Sequence, residues 1–330
     1  MGMRALFVGA VAVMAGIVAC SSGVAATSAS ATSAQGSATA AALTKSEEKA
    51  RSAAAASAAS AGVREGLCTA PADHRALAAR VSADIWAGLR GRDGEHAVSV
   101  YDRVTGLNCV YNGSKHFDSA SIVKAIILGA LLRWHQQTKT SLSSWEKSEA
   151  TLMIEQSDND AATALWDEVG MTNLQHFLNL AKMGETQLGQ DGEWGLTQAT
   201  SHDEMLLLRL LTGSNSVLDA NSRAYELTRM EHVTSWEAWG VTAGTPSGVT
   251  WHVKNGWLPD AAGWHINSIG AFTGHGQDYM MAVLSVNADD DDDDEDYGID
   301  TIEDIARLVQ HDLNNAELTS PSAANVTTGG

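Results

Sequence analysis

The stretch Phe117–Trp134 reads FDSASIVKAIILGALLRW, and between Ala120 and Leu132 only Ser121 and Lys124 are neither apolar nor glycine. A run this apolar predicts a helix buried on every side. An ammonium inside such a helix carries a heavy desolvation cost, and a buried lysine usually sheds its proton instead. Serine at i and lysine at i+3 project from one helical face, a single turn apart. There an unprotonated amine can take the hydroxyl's proton while the oxygen attacks a carbonyl. The burial that makes this lysine costly is what would make it a base. The plainer alternative for Lys124 alone is a side chain that snorkels to the surface.

Spacing alone is weak support, because Ser-x-x-Lys occurs three times: Ser46–Lys49, Ser121–Lys124 and Ser144–Lys147. Context singles out the middle one. Upstream, an amphipathic pattern predicts a helix over Asp73–Leu89. HAVSVYDR (96–103) and LNCVYNG (107–113) alternate as a strand pair around Thr105-Gly106. From Ser121 to about Arg229 the pattern is helical, with segments at Ser141–Gln156, Asp160–Val169 and Thr172–Gly184. Ser201-His202-Asp203-Glu204 reads as a capping box that opens a helix ending at Gly213. Strands resume at 248–256, 264–273 and 278–287, and a last helix covers Asp300–Asn315. Strands near both ends with helices between them predict an α+β fold. One antiparallel sheet would be flanked by helices and joined to an all-helical lobe, with an active site at the seam.

Two further triplets follow Ser121 in order: Ser157-Asp158-Asn159 and, at the end of a strand, Lys254-Asn255-Gly256. Alone, the first reads as a helix cap and the second as a turn. Together with Ser121–Lys124 they resemble the penicillin-recognising serine enzymes, most closely the class A β-lactamase family with its SxxK, SDN and KTG elements. The phrases MIEQSDNDAATALWDEVG and SIGAFTGHGQDYMMAVLSVN carry the same resemblance, which spans roughly residues 65–315. It implies the β-lactamase/D,D-peptidase-like fold and a role for each matched position. Ser121 would be the acylated nucleophile and Lys124 its base. Ser157 would relay a proton to the departing nitrogen. Asn159 would bind Lys124 and the substrate, and Lys254 and Asn255 would receive the substrate carboxylate. The backbone N–H groups of Ser121 and Trp257 would form the oxyanion hole, typically worth ~10²–10³ in rate per donor. Asp158 is assigned to structure.

The sequence departs from the family pattern in three places. Asn255 stands where the family has Thr or Ser. The connection from the Ser121 helix to Ser157 is short. The Ω-loop lacks the ExxLN phrase whose Glu hydrolyses the acyl-enzyme. In ETQLGQDGEWGLTQAT (185–200) the candidates for that deacylating base are Glu193, at the more plausible position, and Glu185.

The remaining features concern compartment and partners. The N-terminus, MGMRALFVGAVAVMAGIVACSSG, has the layout of a secretory signal over 1–19. Ile17-Val18-Ala19-Cys20 resembles a bacterial lipobox, which implies lipidation of Cys20; an ordinary signal peptide is the alternative. Residues 20–62 are an Ala/Ser-rich tether, 63–315 the hydrolase domain and 316–330 a polar tail. Setting Cys20 aside leaves Cys68 and Cys109, a candidate disulfide in an oxidising compartment, with two buried free thiols as the alternative. A net charge of −19 argues against nucleic acid. The acidic run 289–296 reads as a solvated loop. No cofactor motif and no metal-spaced Cys/His cluster is present.

The expectation is therefore an exported serine hydrolase, lipid-anchored on the outer face of a bacterial cell membrane and monomeric. It would open a β-lactam or related amide through an acyl-Ser121 intermediate. The alternatives are a peptidoglycan D,D-carboxypeptidase, and a lipoprotein that binds or senses penicillin or cell-wall fragments without turnover. A further enzymatic possibility is an esterase acting on other acyl donors.

Overall fold

The structure is a computed structural model that describes residues 66–260, 263–287 and 295–315. Signal, Cys20, tether and polar tail lie outside the described residues. Among the described residues the strands are β1 (Cys68–Thr69), β2 (Glu95–Asp102), β3 (Asn108–Tyr111), β4 (Phe117–Asp118), β5 (Gln198–Ala199), β6 (Thr250–Asp260), β7 (Gly263–Gly274) and β8 (Gln277–Val286). The α-helices among them are α1 (Arg75–Gly88), α2 (Val123–Thr138), α3 (Ser144–Glu155), α4 (Asn159–Ala181), α5 (Ser201–Thr212), α6 (Ala220–Glu231) and α7 (Glu295–Asn314).

Six strands form one antiparallel sheet in the order β1-β3-β2-β8-β7-β6, so strands from before and after the helical middle meet where β2 pairs with β8. Side-chain alternation decides what each face packs against. Val98, Val100, Tyr279, Met281 and Val283 join Ile85 of α1 and Ile302, Ile305 and Val309 of α7 in one apolar layer. Ala97, Met280, Ala282 and Leu284 point the other way, into the core of the helical half. Gly88 allows α1 to meet α7, because a Cβ there would stand 2.6 Å from Ile305. The expected α+β architecture is the one observed.

Helix α2 is the axis of the helical half: every residue from Val123 to Leu132 is buried, Lys124 included. It packs on α4, and Gly129 makes room for the ring of Phe177. Among the described residues no helix is long and apolar enough to cross a membrane. Cys68 and Cys109 are register partners across β1 and β3 and are joined by a disulfide.

Several boundaries differ from expectation for local reasons. Gly170 (φ 72°) breaks α4 in the middle, so the two helices predicted over 160–184 form one element with a kink. The cap of α5 is Thr200, whose side chain accepts from Asp203 N, and not Ser201. The reciprocal capping box lies instead at Ser143 and Glu146. Helix α6, with its Asp219 cap, is a separate element. Helix α7 starts at Glu295, inside the acidic run, where Glu295 and Asp296 favour the positive helix N-terminus; the run's earlier residues lie outside the described ones. Strand β6 continues past Gly256 to Asp260, and it carries Pro259 because it is an edge strand.

Candidate active site

Ser121 sits in a 3₁₀ turn, Ala120–Ile122, that leads directly into α2. The turn is reached through Ala120 at φ 47°, a left-handed conformation that costs a non-glycine residue roughly 1–2 kcal/mol. Three contacts hold it there. Asn267 Nδ2 donates to Asp118 O at 2.9 Å and to Ser119 O at 3.1 Å. Ser119 N donates to Thr197 O at 2.8 Å. Edge strand β6 lies so close that a Cβ on Gly256 would be 2.5 Å from Ser121 N and 2.9 Å from Ser119 O. Only glycine fits there, and it sets Trp257 next to the turn.

The polar groups of the cleft meet at Lys124. Its Nζ donates to Ser157 O at 2.5 Å and Asn159 Oδ1 at 2.8 Å, with Ser157 Oγ at 3.3 Å. Lys254 Nζ donates to the same Ser157 Oγ at 2.9 Å. Ser157 adopts φ 55° between α3 and α4, which turns its carbonyl toward Lys124. Asp158 caps α4 by accepting from Ala161 N at 2.8 Å, a structural task as expected. Desolvation is the main cause that brings Lys124 down from 10.5 to about 7; the charge of Lys254 adds to the shift, while Glu237 and Asp158 oppose it. Half of such lysines are neutral near pH 7. Burial also lowers Lys254, against the pull of Glu237.

The structure thus brings Ser157, Asn159 and Lys254 to Lys124, one turn from Ser121. It gives Asn255 a different task from the one expected. Asn255 is fully buried, and its Nδ2 donates to Glu237 O at 2.8 Å and Trp239 O at 3.1 Å. With its amide hydrogens engaged by the chain, it has none to offer a substrate carboxylate.

Glu193 is also displaced from its expected role. Its side chain is exposed and lines a surface cavity of about 540 Å³ with Met171, Gln175, Gln190 and Leu196, apart from the lysine cluster. The loop residue that reaches the cluster is its neighbour Trp194, whose ring lies 4.9 Å from Lys124 Nζ and whose Nε1 donates to Thr163 Oγ1 at 3.1 Å. Glu185, the other candidate, belongs to the neck of the Ω-loop. Its Oε2 accepts from Thr200 Oγ1 at 3.0 Å, while Asp203 Oδ2 accepts from Glu185 N at 2.9 Å and Thr186 N at 2.7 Å. Among the described residues Glu185, His202 and Asp203 are the grouping with the donor set for a cation, with ligand atoms within 4.8 Å of one another. The hydrogen bonds of Glu185 and of Asp203 Oδ2 clasp that neck.

Glu237 is the residue that sequence reasoning missed. It is 1 % exposed and its Oε2 lies 3.5 Å from Lys254 Nζ. Nothing in SWEAWG (235–240) marks that acid as a site residue.

Comparison with known proteins bears on the family and the fold. Residues 146–313, which include Ser157–Asn159 and Lys254–Gly256, match the Beta-lactamase enzyme family. Among solved structures, the fold is similar to a class A β-lactamase representative from Bacteroides cellulosilyticus at TM-score 0.61 and 17% identity, covering 72% of this chain and 98% of that one. A β-lactamase from Xanthomonas campestris gives TM-score 0.62 at 17% identity, with 72% and 98% covered. An ancestral class A β-lactamase gives 0.60 at 21% identity, with 70% and 99% covered. No curated protein matches the chain. With its fold and the extent of the family match, the chain belongs to the β-lactamase enzyme family.

Proposed function

We propose that this protein is a serine hydrolase of the class A β-lactamase type that is acylated on Ser121. The observation that carries the reading is the buried Lys124, which shares Ser157 with Lys254 and has its pKa brought to about 7. A neutral Lys124 takes the Ser121 hydroxyl proton as Oγ bonds to the carbonyl carbon of a β-lactam or related amide. The N–H groups of Ser121 and Trp257 receive the oxyanion. The C–N bond then breaks, and the nitrogen takes a proton through Ser157 Oγ, replenished from the lysines on either side. Exported by its signal and held by lipid on Cys20, the enzyme would meet such substrates outside the cell membrane.

A second reading has its own support. Glu193 points to solvent and Trp194 covers Lys124, so the loop offers the cluster an indole where a deacylating carboxylate would be needed. A long-lived acyl-enzyme suits a penicillin-binding D,D-peptidase or a sensor better than a fast β-lactamase. Time-resolved intact mass spectrometry with a penicillin, with Ser121→Ala as control, separates these readings. An adduct that clears while product accumulates supports hydrolysis, and one that persists supports the second reading. Labelling that survives Ser121→Ala would remove Ser121 from its role.

A further inference from the structure

The leaving-group side of the cleft is defined by Ser157, whose Oγ is hydrogen-bonded to both lysines. A group that receives its proton from Ser157 Oγ lies two hydrogen bonds from Lys254 Nζ, with Ser157 between them, so its substituents meet whatever charge Lys254 presents. That charge already has a partner. Glu237 closes the short turn Ser235–Glu237, and both it and Lys254 are buried to within 1 %. The pair is built in from the backbone. Asn255, next to Lys254 on β6, holds Glu237 O and Trp239 O, and Ser268 Oγ accepts from Val241 N at 2.9 Å just beyond. Gly240 (φ 75°) permits this approach, since a Cβ there would stand 2.4 Å from Ser268 Oγ.

Two details give the pair a functional meaning. The donors that face the buried Glu237 carboxylate are Lys254, at 3.5 Å, and Ser157, so it belongs to the same polar group as the proton-relaying hydroxyl. Burial raises Glu237 and lowers Lys254, while each charge opposes the other's shift. At 3.5 Å the carboxylate stands opposite the ammonium and offsets its charge. The surroundings are aromatic: Trp239 and Trp257 meet edge-to-face at 6.1 Å, and Trp194 lies over Lys124.

We propose that Glu237 is a specificity-determining residue of the Ser121 site: by pairing with Lys254 it cancels the positive charge on the leaving-group side. The site then takes acyl donors whose leaving group is uncharged or cationic there and disfavours those that carry a carboxylate. This rests on the acyl-Ser121 reading above and narrows its substrate class. A plain structural counter-ion to Lys254 would affect anionic and neutral substrates alike.

The test compares acylation of the full chain by benzylpenicillin and by its uncharged methyl ester, followed by intact mass at pH 7, in the wild type and in Glu237→Gln. A carboxylate desolvated beside an already paired Lys254 finds no compensating positive charge, so the ester is expected to acylate the wild type faster by about tenfold or more. Glu237→Gln is expected to shift the acid-to-ester ratio toward the acid by a similar factor. A wild type that prefers the acid overturns the proposal without any variant. So does a Glu237→Gln protein in which both rates fall with their ratio unchanged. If neither compound labels Ser121 in the wild type, the acylation reading fails, and this proposal fails with it.

Discussion

Lys124 is brought from its ordinary 10.5 to about 7 inside the protein, and that shift predicts what its removal does to stability as well as to activity. In the unfolded chain the amine stays protonated until pH nears 10.5, whereas the folded state releases the proton near 7. Between those values the unfolded state binds more protons, so stability rises with pH across the window. At pH 7 the mismatch costs the fold about 4 kcal/mol, and at pH 9 about 2 kcal/mol. Lys124→Met keeps the volume and removes this cost. It also leaves Ser157 O and Asn159 Oδ1 without their donor, a loss of about 1–3 kcal/mol. The variant is expected to be more stable than wild type by roughly 1–3 kcal/mol at pH 7 and about equal at pH 9, with acylation reduced by at least ~10². Urea denaturation at the two pH values, paired with intact-mass acylation, reads all three. A stability difference that does not change with pH would refute the buried low-pKa lysine. Near-normal acylation would refute its role as the base.

Other expectations follow from the same geometry. Acylation of wild type should rise about tenfold from pH 6 to pH 8 as Lys124 loses its proton, and a flat profile would point to a different base. Glu193→Gln, on the exposed side of the loop, should change acyl-enzyme lifetime by less than about twofold; a lengthening of ~10² would restore it as the deacylating base. Glu204 is fully buried with its carboxyl raised to about 8, mainly by desolvation and then by the charge of Asp203. The unfolded state loses that proton above 4.5 and the folded state only near 8, so this group destabilises as pH climbs through the interval. Glu204→Gln should therefore gain up to about 3 kcal/mol at pH 7 and nothing at pH 4, checked by denaturation at both. Replacing Cys68 and Cys109 by Ser opens a loop of sequence separation 41 and should cost about 4 kcal/mol. Unaltered stability would mean the crosslink constrains little.

What could be read in advance follows the range of the interactions involved. Ser121 and Lys124 are three residues apart where a turn enters a helix whose apolar run announced its burial, so their nearness is a local property of the chain. Ser157 to Asn159 join a cap to a helix start, and Lys254 to Gly256 lie within a strand. Each is a short pattern, and their order along the chain identified the fold. The alternation in HAVSVYDR likewise announced β2 as a strand; that β2 and β8 are buried on both faces came from the packing of the sheet.

The sequence by itself therefore determined the α+β layout and, in Ser157, Asn159 and Lys254, groups that gather around Lys124. Tertiary structure alone decided the rest. Whether Glu193 or Trp194 faces Lys124 depends on how the Ω-loop closes, with its neck held by Asp203 and its Gly189 N by Thr197 Oγ1 at 3.0 Å. Thr200 took the cap from Ser201 because Glu185, at the opposite side of that neck, accepts its hydroxyl. Glu237 and Lys254 have no spacing that links them. They meet because Asn255 grips the backbone of an otherwise unmarked turn, and a charge pair made by such a long-range contact leaves no pattern along the chain.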